Sequence, residues 1–121
     1  MKFTIHSTFP SLNEVIRLAK THWSHYAKLK KELTLSVAIQ ARAAGLKPTE
    51  VPVRVCFNWF ESSKRRDVDN VSHGQKYILD SLVEAGILNT DGQRHVLQLQ
   101  HHFYVDKDNP RVEVEITELI G

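Results

Sequence analysis

The tightest constraint on the fold is a change of hydrophobic period within residues 51–86. In residues 51–60, Val51, Val53, Val55, Phe57 and Trp59 alternate with Pro52, Arg54, Cys56, Asn58 and Phe60. Successive side chains of an extended chain point to opposite faces, so the segment predicts a strand with one face in a core. From residue 70 onward the period lengthens. Val71, Gly74, Ile78, Leu82 and Ala85 share one stripe at about 100° per residue, and Asp69, His73, Lys76 and Asp80 share the opposite one. This predicts one amphipathic helix over 70–86, capped by Asp69 or Asn70 and ended by Gly86.

The string Lys64-Arg65-Arg66-Asp67-Val68-Asp69-Asn70 joins the two elements. Extended backbone through it predicts that Asp67 and Asp69 project to one face while Val68 turns inward. Two like charges on one face repel unless something positive lies between them. A hard divalent cation, Mg²⁺ or Mn²⁺, prefers such oxygen ligands. The three cations before the pair suit a phosphate-rich partner. Taken alone, the pair also admits a plain structural account, with Asp69 as a helix N-cap and the Arg–Asp neighbours as solvated surface pairs. A third carboxylate, Asp91, follows in a predicted turn over 89–92.

The remaining chain reads in order. Residues 2–6 alternate as a short strand that Phe9-Pro10 breaks. Ser11-Leu12-Asn13-Glu14 is a capping box and opens a helix. Helical spacing continues to the stop signals Gly45 and Pro48, but an unbroken helix over 12–44 would be about 50 Å long, wider than a domain of this size. A break is therefore expected at 21–25, with pieces at 12–20 and 25–44. His22, His25, Lys28 and Lys31 beside it fit either phosphate contacts or a solvated face. Trp23 and Tyr26 read as core or subunit-interface anchors. Residues 94–105 and 111–118 read as strands joined by a polar turn, and predict an antiparallel hairpin. The fold class that follows is α+β. It is a single domain over 1–121 with a mixed sheet of about four strands, in the order β-α-β-α-β-β, and helices packed on one face.

Composition narrows the function classes. The lone cysteine, Cys56, excludes an intrachain disulfide and fits a reducing compartment. No secretory signal and no apolar run long enough for a bilayer is visible, so a cytoplasmic protein without membrane association is expected. The net charge of +2 does not by itself argue for nucleic acid. Lys20, Lys28, Lys30, Lys31, Lys64, Arg65 and Arg66 nevertheless precede the acidic pair, and Glu113, Glu115 and Glu118 crowd the C-terminus, which permits one basic face. His95, His101 and His102 lack any zinc-site spacing and read as structural or surface histidines. Glycine-rich phosphate loops are absent.

Several strings resemble one family together. Arg66-Asp67-Val68-Asp69-Asn70, Lys76-Tyr77-Ile78-Leu79-Asp80-Ser81-Leu82, Ala85-Gly86-Ile87-Leu88 and Asp91-Gly92-Gln93 occur in the order found in the RusA family of Holliday-junction resolvases. The similarity is close over residues 58–100. It extends weakly to Pro10-Ser11-Leu12-Asn13-Glu14 and to residues 27–32, which resemble phage and prophage members. The resemblance implies an endodeoxyribonuclease that cuts four-way DNA junctions as a homodimer, with no small-molecule cofactor. Phosphodiester hydrolysis by one or two Mg²⁺ ions (Mn²⁺ as an alternative) then makes Asp67, Asp69 and Asp91 the expected ligands. Lys76 is the expected catalytic cation, and Lys64, Arg65, Arg66, Asn70 and His73 the expected DNA contacts. Some members carry a lysine where His73 stands here, which leaves the identity of the cation open between positions 73 and 76. The alternatives are a branched-DNA-binding protein that no longer cuts and, outside nucleic acids, a small acidic metal-binding protein.

Overall fold

The structure, a computed structural model, describes residues 1–6, 9, 12–90 and 92–119, of Leu12 the backbone alone. Its centre is the strand β2, Val53–Glu61, whose Val53, Val55, Phe57 and Trp59 are buried while Arg54, Cys56, Asn58 and Phe60 are half-buried. Before it come β1 (Lys2–Ile5), α1 (Leu12–Thr21) and α2 (Trp23–Ala43). After it come α3 (Val68–Ser72), α4 (Gln75–Glu84), β3 (Val96–Val105) and β4 (Arg111–Glu118). The strands form one mixed sheet in the order β1-β4-β2-β3. Phe3, Ile5, Val112, Val114 and Ile116 join the inner residues of β2, and Val37, Ala41, Val71, Tyr77, Ile78 and Leu82 cover them from the helices. Each large apolar side chain so buried contributes about 1.5–3 kcal/mol relative to exposure. The α+β class, the mixed four-stranded sheet and the single helical layer are as the sequence predicts.

Four expectations are corrected. The first is the hairpin: β3 pairs with β2, in parallel, and β4 pairs antiparallel with β2 on its other side. The strand apolar on its whole inner face takes the middle, and β2 therefore separates β3 from β4. The turn after β3 crosses the end of β2, where Asp106 N donates to Glu61 O at 2.8 Å. The helix predicted over 70–86 is instead two helices. Between them His73 and Gly74 form a turn, with Gly74 N donating to Val71 O and Lys76 N to His73 O, both at 3.2 Å. Gly74 is buried against Trp59: a Cβ there would stand 3.0 Å from Trp59 Cη2 and 3.3 Å from Phe9 Cβ. The N-cap position belongs to Asp67, not to Asp69 or Asn70, and Val68 is exposed rather than turned inward, because the helix begins three residues before the first residue of its apolar stripe, Val71. Finally, Trp23 is 65% exposed and is not a core anchor.

The break between α1 and α2 falls at His22, whose φ of −144° and ψ of 66° leave the helical region. Thr21 Oγ1 donates back to Arg17 O at 2.8 Å, a bond that bends helices. Of the predicted capping box, Ser11 lies outside the described residues. At the far end of α4, Gly86 takes a φ of 76° and lets Ile87 N and Leu88 N fold back onto Leu82 O, which turns both side chains into the core. Among the described residues no helix is long and apolar enough to cross a membrane.

Candidate active site

The site is built where β2 ends. Arg66, in the loop that follows, donates through Nη1 to Glu61 Oε1 at 3.3 Å, and through Nη2 to Phe9 O at 2.9 Å and Glu14 Oε1 at 3.4 Å. One guanidinium thus ties the strand end, the segment before α1 and α1 itself to the loop. It is engaged with the protein's own acceptors, and it fixes the backbone that carries Asp67.

Asp67 stands at the N-cap of α3 with extended φ and ψ of −65° and 153°. Its carbonyl accepts from Asn70 N at 3.0 Å and Val71 N at 3.1 Å, but its carboxylate makes no capping hydrogen bond. The Asp69 carboxylate, in the first turn, accepts from Asn70 N at 3.0 Å. Both carboxylates are exposed and line one cleft of about 860 Å³ with Glu61, Ser63, Lys64, Arg66 and the end of β3. Helical geometry, rather than the extended strand expected, turns the pair toward the same space. Arg65 lies on an adjoining cavity with Ser62, Ser63 and Lys107.

The other predicted residues are placed less centrally. Asn70, His73 and Lys76 are not part of the cleft lining. Lys76 is exposed and its ammonium lies 2.9 Å from Asp80 Oδ1, while Lys30 approaches Asp80 Oδ2 at 3.8 Å, so Asp80 joins α4 to α2. His73 is half-buried with its ring edge-on to Tyr77 at 5.9 Å, and burial lowers its pKa below the usual imidazole value. Asp91 lies outside the described residues. Among the described residues no three His, Cys, Asp or Glu side chains stand close enough together to hold a metal. Two exposed hard carboxylates nevertheless suit Mg²⁺, which keeps several waters and is usually held by one or two carboxylates plus substrate phosphates.

Sequence reasoning missed Phe103, Tyr104 and Val105, which line the same cleft as Asp67 and Asp69. Their position depends on the parallel pairing of β3 with β2, which places Phe103 opposite Trp59 and Val105 opposite Glu61. Nothing in the local pattern of residues 94–105 distinguishes that pairing from a hairpin.

Compared with known families, residues 11–117 match the one described as Endodeoxyribonuclease RusA. The chain belongs to the RusA family. RusA membership implies Holliday-junction resolvase activity in general, a nuclease hydrolase acting on branched DNA. The match spans every element from α1 to β3 and nearly all of β4, so the cleft lies well inside the RusA region. Among curated proteins no sequence matches the chain.

Proposed function

We propose that this RusA-family chain is a cytoplasmic, Mg²⁺-dependent endodeoxyribonuclease that resolves four-way DNA junctions by paired symmetric cuts, acting as a homodimer. The observation that carries the reading is the cleft in which Asp67 and Asp69 stand with Lys64 between the start of α3 and the edge of β3. Asp67 and Asp69 would hold the ion, and Asp91, outside the described residues, is the third expected ligand. When bound, Mg²⁺ supplies an activated water and offsets charge on the attacked phosphate. Lys64 and Arg65 contact phosphates on either side of the loop. Arg66, through Glu61, Glu14 and Phe9, holds that loop in place and adds positive potential beside the phosphate. Asn70 in α3 and His73 in the turn after it, both half-buried and outside the cleft lining, would approach the DNA beyond the cleft. Lys76, one turn further on, is the cation available to developing charge once DNA displaces its partner Asp80.

A four-way junction has two equivalent strands to cut, and a two-fold dimer meets that symmetry with two equivalent clefts. Light scattering giving 13.9 kDa, rather than twice that mass, would remove the dimer. The reaction is tested by incubating the chain with a synthetic mobile four-way junction in Mg²⁺ or in EDTA. The expected result is paired nicks at symmetric positions in Mg²⁺ only. Binding without cleavage in Mg²⁺ and in Mn²⁺ would instead favour a branched-DNA-binding protein.

A further inference from the structure

The cleft contains an aromatic ring that hydrolysis does not require. Pairing opposite Trp59 puts Phe103 on the face of the sheet that the helices cover, yet its side chain is 41% exposed because β3 is the edge strand. It therefore shares one side of the sheet, and one cleft, with Asp67, Asp69 and Lys64.

The ring is also held in place. Phe57 and Trp59, both buried, lie 5.6 Å apart and within 18° of parallel. His101 lies 5.0 Å from Phe57 and within 10° of its plane, and Phe103 lies 6.3 Å beyond His101 at 16°. Two hydrogen bonds fix His101 in this array: Trp59 Nε1–H donates to its Nδ1 at 3.0 Å, and its Nε2 meets Gln75 Oε1 at 3.1 Å. Phe103 is the last, open ring of a set of near-parallel rings that starts in the core.

We propose that Phe103 is a stacking platform for one unstacked nucleobase of branched DNA, whose adjoining phosphate faces Asp67 and Asp69. The inference rests on the cleft being the nuclease site. An exposed flat ring in a cleft that sets Lys64, Arg66, Asp67 and Asp69 beside the apolar Val68, Val71 and Val105 suits a ligand with a π-face and an anionic backbone, which a nucleotide provides. Stacking of a base on an aromatic side chain tolerates any sequence and is worth on the order of tenfold in affinity per base. Freeing a base is easiest where stacking is already interrupted, as at a branch point. Phe103 thereby favours junctions over continuous duplex, without reading a base edge. This role is separable from that of Lys64: losing a phosphate contact flattens the salt dependence of binding, whereas losing a stack does not.

The test uses the full chain, in EDTA, with four-way junctions carrying 2-aminopurine at each nucleotide flanking the branch. Wild type should change the fluorescence at one flanking position. Phe103→Leu should abolish that change and weaken junction binding about tenfold, with the salt slope and duplex binding unaltered. Phe103→Trp should restore the signal and the affinity. Equal affinity and equal fluorescence response for Phe103→Leu and wild type would overturn the platform. So would a loss common to both variants and accompanied by a lower Tm, which would mark a packing role. Wild type that neither binds nor cuts the junction would defeat the nuclease reading itself. Intact cleavage by an indifferent Phe103→Leu would defeat only the inference drawn from Phe103.

Discussion

Gly74→Ala offers a prediction whose size follows from the structure. Gly74 has φ −57° and ψ −18°, a conformation any residue adopts, so backbone freedom is not why glycine stands there. The reason is space. An added Cβ would lie 3.0 Å from Trp59 Cη2, 3.1 Å from Trp59 Cζ3 and 3.3 Å from Phe9 Cβ. Trp59 has little room to withdraw, since it is 2% exposed and its indole N–H donates to His101. Overpacking of this kind costs about 1–3 kcal/mol. Alanine returns about 0.4–1 kcal/mol by stiffening the unfolded chain. The net effect is a destabilisation of about 1–2 kcal/mol, or a fall in Tm of about 3–10 °C for a chain of this size. Calorimetry on the two proteins measures it. The same substitution in a Trp59→Phe background should cost less, because the smaller ring leaves room for the methyl group. A Gly74→Ala protein as stable as wild type, or an equal penalty in both backgrounds, would refute the packing account of the turn between α3 and α4.

Three further outcomes follow from the same contacts. Burial, and secondarily the charge of His102, lower the pKa of His101, whose Nδ1 accepts from Trp59 and must stay unprotonated. As pH falls below about 6.5 the unfolded chain takes up a proton that the folded one resists, so stability should drop from there toward the lower folded value and then level off. His101→Gln should flatten that slope, and an unchanged slope would assign it elsewhere. Lys64→Ala and Arg65→Ala should each weaken junction binding broadly and lower the salt slope by about one. Arg66→Ala should instead show itself in Tm, since it removes the guanidinium that donates to Phe9 O and to the Glu61 and Glu14 carboxylates, at a cost of about 1–3 kcal/mol. A stability loss for Lys64→Ala equal to that of Arg66→Ala would contradict this division. Asp80→Asn should cost no more than about 1 kcal/mol, as a partly exposed ion-pair centre, and should leave cleavage near normal. A folded Asp80→Asn protein without cleavage would move the catalytic centre along α4.

What the sequence could convey divides by the range of the interaction. The strands β2 and β4 and the apolar stripe of α4 were legible because period alone states which face is buried, and Val53 to Trp59 or Val112 to Ile116 state it without exception. The neighbour of β3 was not legible. Its residues are largely exposed, as an edge strand's are, so alternation there carries no information about pairing. The turn at His73 and Gly74 was hidden because what Gly74 packs against is the Trp59 ring, brought in from β2. Asp67 and Asp69 could be singled out from their spacing and the basic run before them. Their shared direction was expected from an extended strand, but a helix N-terminus produces it. The acceptors that hold Arg66 could not be read, because Phe9 and Glu14 lie more than fifty residues away in the chain. Phe103 carried no local signal, since its place in the cleft exists only through the pairing of β3 with β2.

The most direct test of the account compares Asp67→Asn and Asp69→Asn with wild type on one four-way junction, measuring single-turnover cleavage in Mg²⁺ and binding in EDTA. Each substitution removes the charge of a proposed ligand and leaves the side-chain volume almost unchanged, on an exposed carboxylate: that of Asp67 makes no capping hydrogen bond, and that of Asp69 accepts from Asn70 N, which an amide oxygen can also do. Both proteins should keep the wild-type Tm and bind the junction at least as tightly, because a negative charge facing phosphates is gone. Cleavage should fall by about a thousandfold or more, since the ion supplies both the water and the charge stabilisation. Near-normal cleavage by either folded variant would contradict the assignment of the cleft as the catalytic centre.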